Sequence, residues 1–381
     1  MIKLHKACFL LLISFFICCR KPYNPPAITG NEGYLVVEGV VNAESDSTTI
    51  KLTRTVNIAN NVTANPVLHA VVTVENDQGL SFPLTETVNG NYTSPGLNLN
   101  NSRTYRLTIK TANNKQYQSD FVPLIVTPPI DSIGYNIVNN PVTGIQVYVN
   151  THDPANAVKY YRWDYDEAWA FQSKYISYWI PSGNTLVPRT AAQNITNCYG
   201  SDISSDIVLA SSAKLEQDIL YQSPVVFIPS TSEKLEAEYS ILLREYALTA
   251  DAYDFWVSLK KNTEQLGSIF DAQPSQIEGN IHCITTPSEP VIGYISVCTV
   301  SSKRIIITSA NLPVWVATYP YTCEQDTSLN PYDDLVLDSA HLVATGPPPP
   351  GIGAPPFFLY STRECVDCTI RGTKTRPPFF K

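Results

Sequence analysis

Short runs of alternating apolar and polar residues, separated by turn-forming residues, constrain the fold of this chain most. Four clear runs lie in its first third, at 34–41, 48–53, 70–75 and 104–109. Alternation with a period of two places successive side chains on opposite faces of a strand. Asn, Asp, Gly and Pro between the runs favour reversals of the chain. The sequence therefore predicts an all-β (mainly β) fold.

Two of the intervening segments predict hairpin turns. Asn76-Asp77-Gln78-Gly79 and Asn89-Gly90-Asn91 each contain a glycine, which adopts positive φ without a Cβ clash. The stretch 70–94 resembles the transthyretin-like modules attached to bacterial carboxypeptidases and transporters. We expect residues 33–127 to form an N-terminal β-sandwich of the transthyretin-like or Ig-like kind.

A second β-rich region is predicted for residues 128–381. Prolines at 123, 128 and 129 mark its start, and its strands are more widely spaced and richer in aromatic residues. One helix is expected near 250–262, because apolar residues recur at helical spacing after Thr249, a residue type that caps helix N-termini. We expect a disulfide-stapled, proline-rich segment at the C-terminus.

The first 19 residues predict a lipoprotein signal peptide. Lys3 and Lys6 precede an apolar run that ends at Cys18 and is shorter than the roughly 20 residues that cross a membrane as a helix. The run gives way at Cys18 and Cys19 to polar chain, as in a bacterial lipobox, whose cysteine is acylated. We expect acylation at Cys19, with Cys18 as the alternative. An ordinary secretory signal with two incidental cysteines is the competing interpretation.

Residues 20–32 contain three prolines and predict a stiff tether. Acyl chains on the N-terminal cysteine would hold the mature protein on a membrane without spanning it. We therefore expect membrane attachment through the acyl chains alone.

Composition argues against a nucleic-acid-binding protein. The chain has 26 Lys and Arg against 34 Asp and Glu, a net charge of -8, whereas binding to phosphates requires clustered cations. The sequence contains no Gly-x-Ser-x-Gly, His-Glu-x-x-His, phosphate-loop or calcium-loop pattern. We expect no catalytic residues, no metal site and no cofactor.

Six of the nine cysteines lie beyond residue 19. An even number in an exported chain favours disulfides, and the candidates are Cys198, Cys283, Cys298, Cys323, Cys365 and Cys368. Cys283 and Cys298 flank a predicted hairpin around 287–290, and we expect them to pair. The other four would then fasten the C-terminal segment to the body. A zinc site at Cys365-x-x-Cys368, a redox motif formed by the same two residues and free thiols are the alternatives.

Aromatic and acidic residues at 160–169 are candidates for ligand contact. In a strand, Tyr161, Trp163 and Tyr165 share one face, which is either a sugar-binding platform or, in the interpretation we favour, a core face. The possible ligand or partner contacts are Trp163, Trp169, Phe357 and Phe358.

The acidic residues offer a second functional class, a surface hydrolase acting on glycans or peptides. Glycoside hydrolysis needs two carboxyl groups roughly 5 to 10 Å apart across the sugar. Asp164, Asp166 and Glu167 supply carboxyl groups, but their adjacency on one strand favours a solvated face.

Four segments together resemble one family. They are 246–256, 270–281, the ending from Cys365 to Phe380 and the opening 35–39. They are similar to the Bacteroidota lipoproteins grouped as domain of unknown function 4249, although Phe380 stands where Trp is expected. The resemblance implies an outer-membrane lipoprotein, often encoded beside a TonB-dependent receptor, without assigned catalytic residues. It leaves open whether the protein faces the periplasm or the cell surface.

The resemblance and the missing motifs predict a non-catalytic accessory protein that binds a TonB-dependent transporter or its ligand. The surface hydrolase is the alternative, and a structural or adhesive role is a third possibility.

Overall fold

The computed structural model describes residues 33–56, 65–139, 141–182, 185–264, 277–319, 321–328, 342–345 and 358–380. Strands dominate these residues, so the predicted all-β class is confirmed. The signal peptide, the acylation candidates Cys18 and Cys19, the tether and Phe357 lie outside the described residues. In the part of the chain that is described, no helix is both long and apolar enough to cross a membrane.

The strands of the first 127 residues are β1 (Leu35–Asn42), β2 (Thr48–Arg54), β3 (Val71–Asn76), β4 (Ser81–Glu86), β5 (Asn91–Ser94), β6 (Thr104–Lys110), β7 (Gln116–Ser119) and β8 (Val122–Ile125). The next strands are β9 (Ile130–Val138), β10 (Gly144–His152), β11 (Tyr160–Gln172), β12 (Trp179–Ser182), β13 (Thr185–Pro188), β14 (Asn197–Ile203), β15 (Val208–Ser211), β16 (Ile219–Pro229) and β17 (Glu238–Ala247).

Helix α1 (Ala250–Glu264) follows β17. The remaining elements are β18 (Ile281–Cys283), β19 (Val291–Ile292), β20 (Val297–Cys298), β21 (Val300–Thr308), β22 (Asp326–Ser328), β23 (Leu342–Thr345), β24 (Phe358–Thr362) and the short helix α2 (Arg363–Val366). Single 3-10 turns occur at Ala191–Gln193, Glu233–Leu235, Ser309–Asn311 and Cys368–Ile370.

The four alternating runs predicted as strands are β1, β2, β3 and β6. In β3 and β6 every second side chain is buried, as a period of two requires. The two predicted turns join β3 to β4 and β4 to β5, and in the second of them Asn89 and Gly90 have φ of 54° and 75°. A Cβ at Gly90 would lie 2.5 Å from the carbonyl oxygen of Leu52, so this position requires glycine.

The first sheet closes with strands contributed by a distant part of the chain. Its hydrogen-bonded path runs β6-β3-β4-β5-β2-β1-β20-β8, and β8 pairs back with β6. Strand β20 runs parallel to both β1 and β8, β19 runs parallel to β1, and β18 pairs with β7. Residues 281–298 were assigned to the second region from the sequence, but they pair with the first sheet.

The second core lies between two other sheets. One has the order β16-β10-β9, and the other has the order β14-β11-β17-β21 with β15 also paired to β11. Buried residues from both sheets form one cluster, which includes Val147 and Val149 from β10, Trp163 from β11, and Ile241 and Leu243 from β17. The arrangement is a β-sandwich, in which the inward side chains of two sheets interdigitate.

Helix α1 confirms the predicted helix and lies at the junction of the two cores. The Thr249 hydroxyl caps it by accepting a hydrogen bond from the Ala252 N–H at 3.1 Å. Ala252 is buried in a cluster with Tyr246 and Cys298, against which Val40 of β1 also packs. The helix therefore contacts residues of the first sheet and of the second sandwich.

The cysteines pair differently from the prediction. Cys198 bonds to Cys368, and Cys323 bonds to Cys365, whereas Cys283 and Cys298 are free and buried. The predicted hairpin between the last two does not form, because β18 pairs with β7 while β20 pairs with β1 and β8. The prediction that the other four cysteines fasten the C-terminal segment is confirmed.

The zinc and redox alternatives for Cys365 and Cys368 are also wrong in this structure. Each of these cysteines is bonded to a different partner from another segment. Neither thiol is available as a metal ligand, and the two do not form a bond with each other.

Disulfide mapping tests this pairing. For the chain expressed from residue 20 and denatured without reductant, we expect two alkylated thiols, at Cys283 and Cys298, because these two are free in the fold. Mass spectrometry of a non-reducing digest is the measurement, with the Cys283→Ser/Cys298→Ser double variant as control. A peptide crosslinked between Cys283 and Cys298 would contradict the structure.

Candidate functional site

Strand β11 carries most of the residues that the sequence marked as functional. It pairs with β17 over ten residues, from Tyr161 opposite Ala247 to Ala170 opposite Glu238. Its inner face carries Tyr161, Trp163 and Tyr165, which are buried in the second core, and its outer face carries Arg162, Asp164 and Asp166, which are half-buried. The predicted division of faces is therefore confirmed.

Trp163 is a core residue. Its side chain is 1% exposed, its ring stacks on that of Tyr161 with centroids 5.8 Å apart, and its Nε1 donates to Glu245 at 2.8 Å. The ring therefore has no surface on which a ligand can bind. The core interpretation of this aromatic face is confirmed.

The carboxyl group of Glu245 bridges the two sheets of the sandwich. It is 0% exposed and accepts hydrogen bonds from the Trp163 indole and from Thr151 Oγ1 on β10, each at 2.8 Å. Burial raises the pKa of this carboxyl to about 7, the hydrogen bonds from Thr151 and Trp163 lower it, and the charges of Asp131 and Asp218 raise it. Both carboxyl oxygens are satisfied, which fits a structural role.

Asp218 is a second buried carboxylate of the same sandwich. It is 1% exposed and accepts hydrogen bonds from Tyr161 Oη, from Ser212 Oγ and, at 2.9 Å, from the Asp153 N–H. Its own N–H donates to Asn156 Oδ1 at 2.8 Å. Asp218 thus holds the loop after β10 against the start of β11. No sequence pattern indicated that Glu245 or Asp218 would be buried, because a single acid beside apolar residues is typical of a surface position.

Asp164 and Asp166 are paired with one arginine on the neighbouring strand. Arg244 Nε lies 2.6 Å from Asp164 Oδ1, and its Nη2 lies 2.7 Å from Asp166 Oδ1. The hydrogen bonds from Arg244 lower the pKa of Asp166, and those to Asp166 raise the pKa of Arg244. A general acid has to hold a proton near neutral pH, so Asp166 is unsuited to that role.

Glu167 lies on the opposite face of the strand from Asp164 and Asp166. It is 5% exposed, and it accepts hydrogen bonds from Lys234 Nζ at 2.5 Å and from Tyr239 Oη at 2.6 Å. The expectation that all three acids share a solvated face is wrong for Glu167, since side chains alternate along a strand. The three acids therefore do not form one carboxylate cluster.

Trp169 is half-buried and covered on two sides. Gly200 on β14 is directly opposite, and a Cβ there would lie 2.4 Å from the indole Cε2. Lys234 Nζ lies 5.0 Å from the centre of the indole ring, and the ring nitrogen donates to Glu233 at 3.3 Å. Of the remaining predicted contacts, Phe358 begins β24, and Phe357 lies outside the described residues.

Arg162 connects the outer face to helix α1. Its guanidinium lies 4.6 Å from the ring centre of Tyr246 and 4.4 Å from that of Trp256, and 3.6 Å from Asp164. The other end of this face is covered by the C-terminus, where Phe380 stacks on Tyr199. Phe380 is 5% exposed, so it fills the packing position at which the family resemblance implies a tryptophan.

An acidic cleft lies beside the first half of helix α1. Its volume is about 450 Å³, and its lining includes Asp120, Asp251, Asp254, Glu278 and Tyr294. Across the described ranges, no three His, Cys, Asp or Glu side chains come close enough to hold a metal ion. The residues that line the cleft do not form a recognisable catalytic arrangement.

The buried carboxyl of Glu245 predicts a pH dependence of stability. Because its folded-state pKa of about 7 lies above its ordinary value of 4.5, its contribution is fully present below pH 4.5 and is lost as the pH rises through 7. Glu245→Gln removes the charge. Its Oε1 can still accept from the Trp163 indole, and its amide NH2 can donate to Thr151 Oγ1, which reverses the direction of that hydrogen bond. We expect its free energy of unfolding, relative to the wild type, to increase by ~3 kcal/mol between pH 4.5 and 8.

Urea unfolding at a series of pH values measures this difference. Glu44→Gln, at an exposed position, is the matched control and should leave the pH profile unchanged. Parallel profiles for the wild type and Glu245→Gln would show that this carboxyl does not titrate differently in the folded protein.

A comparison with protein-family models bears out the domain of unknown function named in the resemblance. No curated protein matches the chain. The family model described as domain of unknown function 4249 matches residues 20–304, which is most of the chain. The chain therefore belongs to the family of domain of unknown function 4249.

Proposed function

We propose that this protein is a non-catalytic, lipid-anchored accessory protein of the outer membrane that binds a TonB-dependent transporter or that transporter's ligand. The observation that carries the non-catalytic part is the pairing of the acids on β11. Asp164 and Asp166 are bound by Arg244, and Glu167 is bound by Lys234 and Tyr239. An acid held in an ion pair is stabilised in its charged form and is not free to transfer a proton to a substrate.

The leader sequence supports the anchored part of the proposal. An apolar run that is too short to span a membrane ends at Cys18, and Cys19 and a proline-containing tether follow it. Acyl chains at this point would leave the two β-rich units on a spacer outside the bilayer. Such a position suits a protein that contacts a membrane-embedded partner.

Copurification tests the transporter partner. The full-length chain, tagged at its C-terminus and extracted from its own bacterium in mild detergent, should recover a TonB-dependent barrel. Cys18→Ala/Cys19→Ala is the matched variant, and we expect it to leave the membrane fraction because it has no acylation site. Repeated recovery of the acylated protein alone would contradict the proposed partner.

Activity measurements test the non-catalytic part. We expect the purified protein to show no turnover of glycan or peptide substrates above a heat-denatured sample, because its candidate acids are occupied. The hydrolase alternative would be supported if the wild type shows turnover, and if Asp164→Asn/Asp166→Asn loses it while unfolding at the wild-type temperature. That result would contradict the non-catalytic part of the proposal.

A further inference from the structure

The outward face of the sheet β16-β10-β9 carries three aromatic side chains. They are Tyr148 on β10 and Tyr221 and Phe227 on β16. Tyr221 is 76% exposed, Phe227 is 38% exposed and Tyr148 is half-buried. The inward face of the same sheet supplies the sandwich core, so these aromatic residues are not needed to hold the two sheets together.

The strand register places the three rings in a row. Phe227 is opposite Gln146, and Tyr148 lies two residues further along β10. Tyr221 lies beyond it, in the register shift between the pairs Val149–Ser223 and Thr151–Leu220. Two residues of a strand span about 7 Å. The backbone positions of the three residues therefore follow one another along the strand direction, with Tyr148 on β10 and the other two residues on β16.

Two of the rings lie across glycines of the same sheet. A Cβ at Gly134 on β9 would be 2.5 Å from Tyr148 Oη and 2.6 Å from its Cζ, and a Cβ at Gly144 on β10 would be 2.7 Å from Phe227 Cζ. The missing side chains thus make room for the rings to lie low over the strands. This is the cross-strand pairing of aromatic residues with glycine that is found in curved sheets.

Amide side chains surround the row of rings and are held in place. Asn150 Nδ2 donates to Ser132 Oγ at 2.8 Å, and its Oδ1 accepts from the Gln222 N–H at 2.6 Å. Gln222 Oε1 accepts from Asn136 Nδ2 at 3.2 Å. Gln222 has φ of 50° and lies at a register shift between β16 and β10. A regular extended strand does not have positive φ, so the backbone at Gln222 departs from strand geometry at this register shift. Non-glycine residues with positive φ are often found at functional sites.

The face is almost free of charge. On β9, β10 and β16 the acidic, basic and histidine side chains are Asp131 and His152, which pair with each other at 2.8 Å at one end of the row. A ligand that follows the row would therefore meet ring faces, hydroxyl groups and carboxamides.

We propose that this face binds a neutral polysaccharide. A sugar ring has an apolar C–H face, which stacks on an aromatic ring, and hydroxyl groups, which exchange hydrogen bonds with carboxamides. Three aromatic rings spread along one face of the sheet match a chain of repeating sugar units better than they match a compact ligand. The inference deepens the proposed function, on which it rests for the idea that the bound molecule is one that a transporter takes up.

Affinity electrophoresis of the chain from residue 20 tests the proposal. The probes are native gels that contain dextran, soluble starch, xylan or galactomannan. We expect retarded migration in at least one gel, and about threefold to tenfold weaker binding in each of Tyr148→Ala, Tyr221→Ala and Phe227→Ala. Gly134→Ala should also weaken binding, since it displaces the Tyr148 ring without removing it. Tyr178→Ala, at an exposed aromatic residue outside this face, should bind as the wild type does.

Three results would overturn the proposal. The first is the absence of retardation in all four gels. The second is equal retardation of the wild type and the triple variant Tyr148→Ala/Tyr221→Ala/Phe227→Ala, with both folded by circular dichroism. In the third, the wild type binds no polysaccharide and the triple variant no longer copurifies the transporter. This result would identify the face as a protein interface and leave the proposed accessory function intact.

Discussion

The long antiparallel pair β11–β17 is the interaction on which the rest of this structure depends. Ten residue pairs join the two strands, and Trp163, Asp164 and Asp166 find hydrogen-bond or ion-pair partners on β17. On the inner face, Glu245 is directly opposite Trp163 and accepts its indole hydrogen bond. On the outer face, Arg244 is directly opposite Asp164 and also reaches Asp166. The same register therefore supplies a hydrogen-bond donor to a buried acid on one face and pairs two half-buried acids with one arginine on the other.

The return of residues 281–298 to the first sheet connects the two β-rich units. The chain leaves the second sandwich at β17, passes through α1, contributes β18, β19 and β20 to the first sheet, and re-enters the second sandwich as β21. Cys298 is buried under the helix as part of this crossing. Such a connection closes the first sheet and gives α1 a surface from each unit, so the two units share buried residues and are not joined by a simple linker.

Sequence patterns predicted the local structure well. Alternation marked β1, β2, β3 and β6, the glycine at position 90 marked a turn that needs positive φ, and Thr249 marked the start of α1. These features depend on neighbouring residues alone. The strands β18 to β20 have two or three residues each, which is too short for a period to be recognised, and their partners lie more than 150 residues away in the sequence. The pairing of Cys283 with Cys298 was wrong for the same reason, since it assumed a local hairpin. The row formed by Tyr148, Tyr221 and Phe227 was missed because its order depends on the register between β10 and β16.

In the proposed function, the acids of β11 stabilise the fold and take no part in a reaction. A double-mutant cycle on Glu167 and Lys234 tests it most directly, because this pair contains the one acid of the three that is buried. Unfolding free energies of Glu167→Gln, Lys234→Met and the double variant give the coupling energy between the two side chains. We expect a favourable coupling of about 1 to 3 kcal/mol. A coupling energy near zero would mean that the contribution of Glu167 to the free energy of unfolding does not depend on Lys234. That result would contradict a structural role for this ion pair.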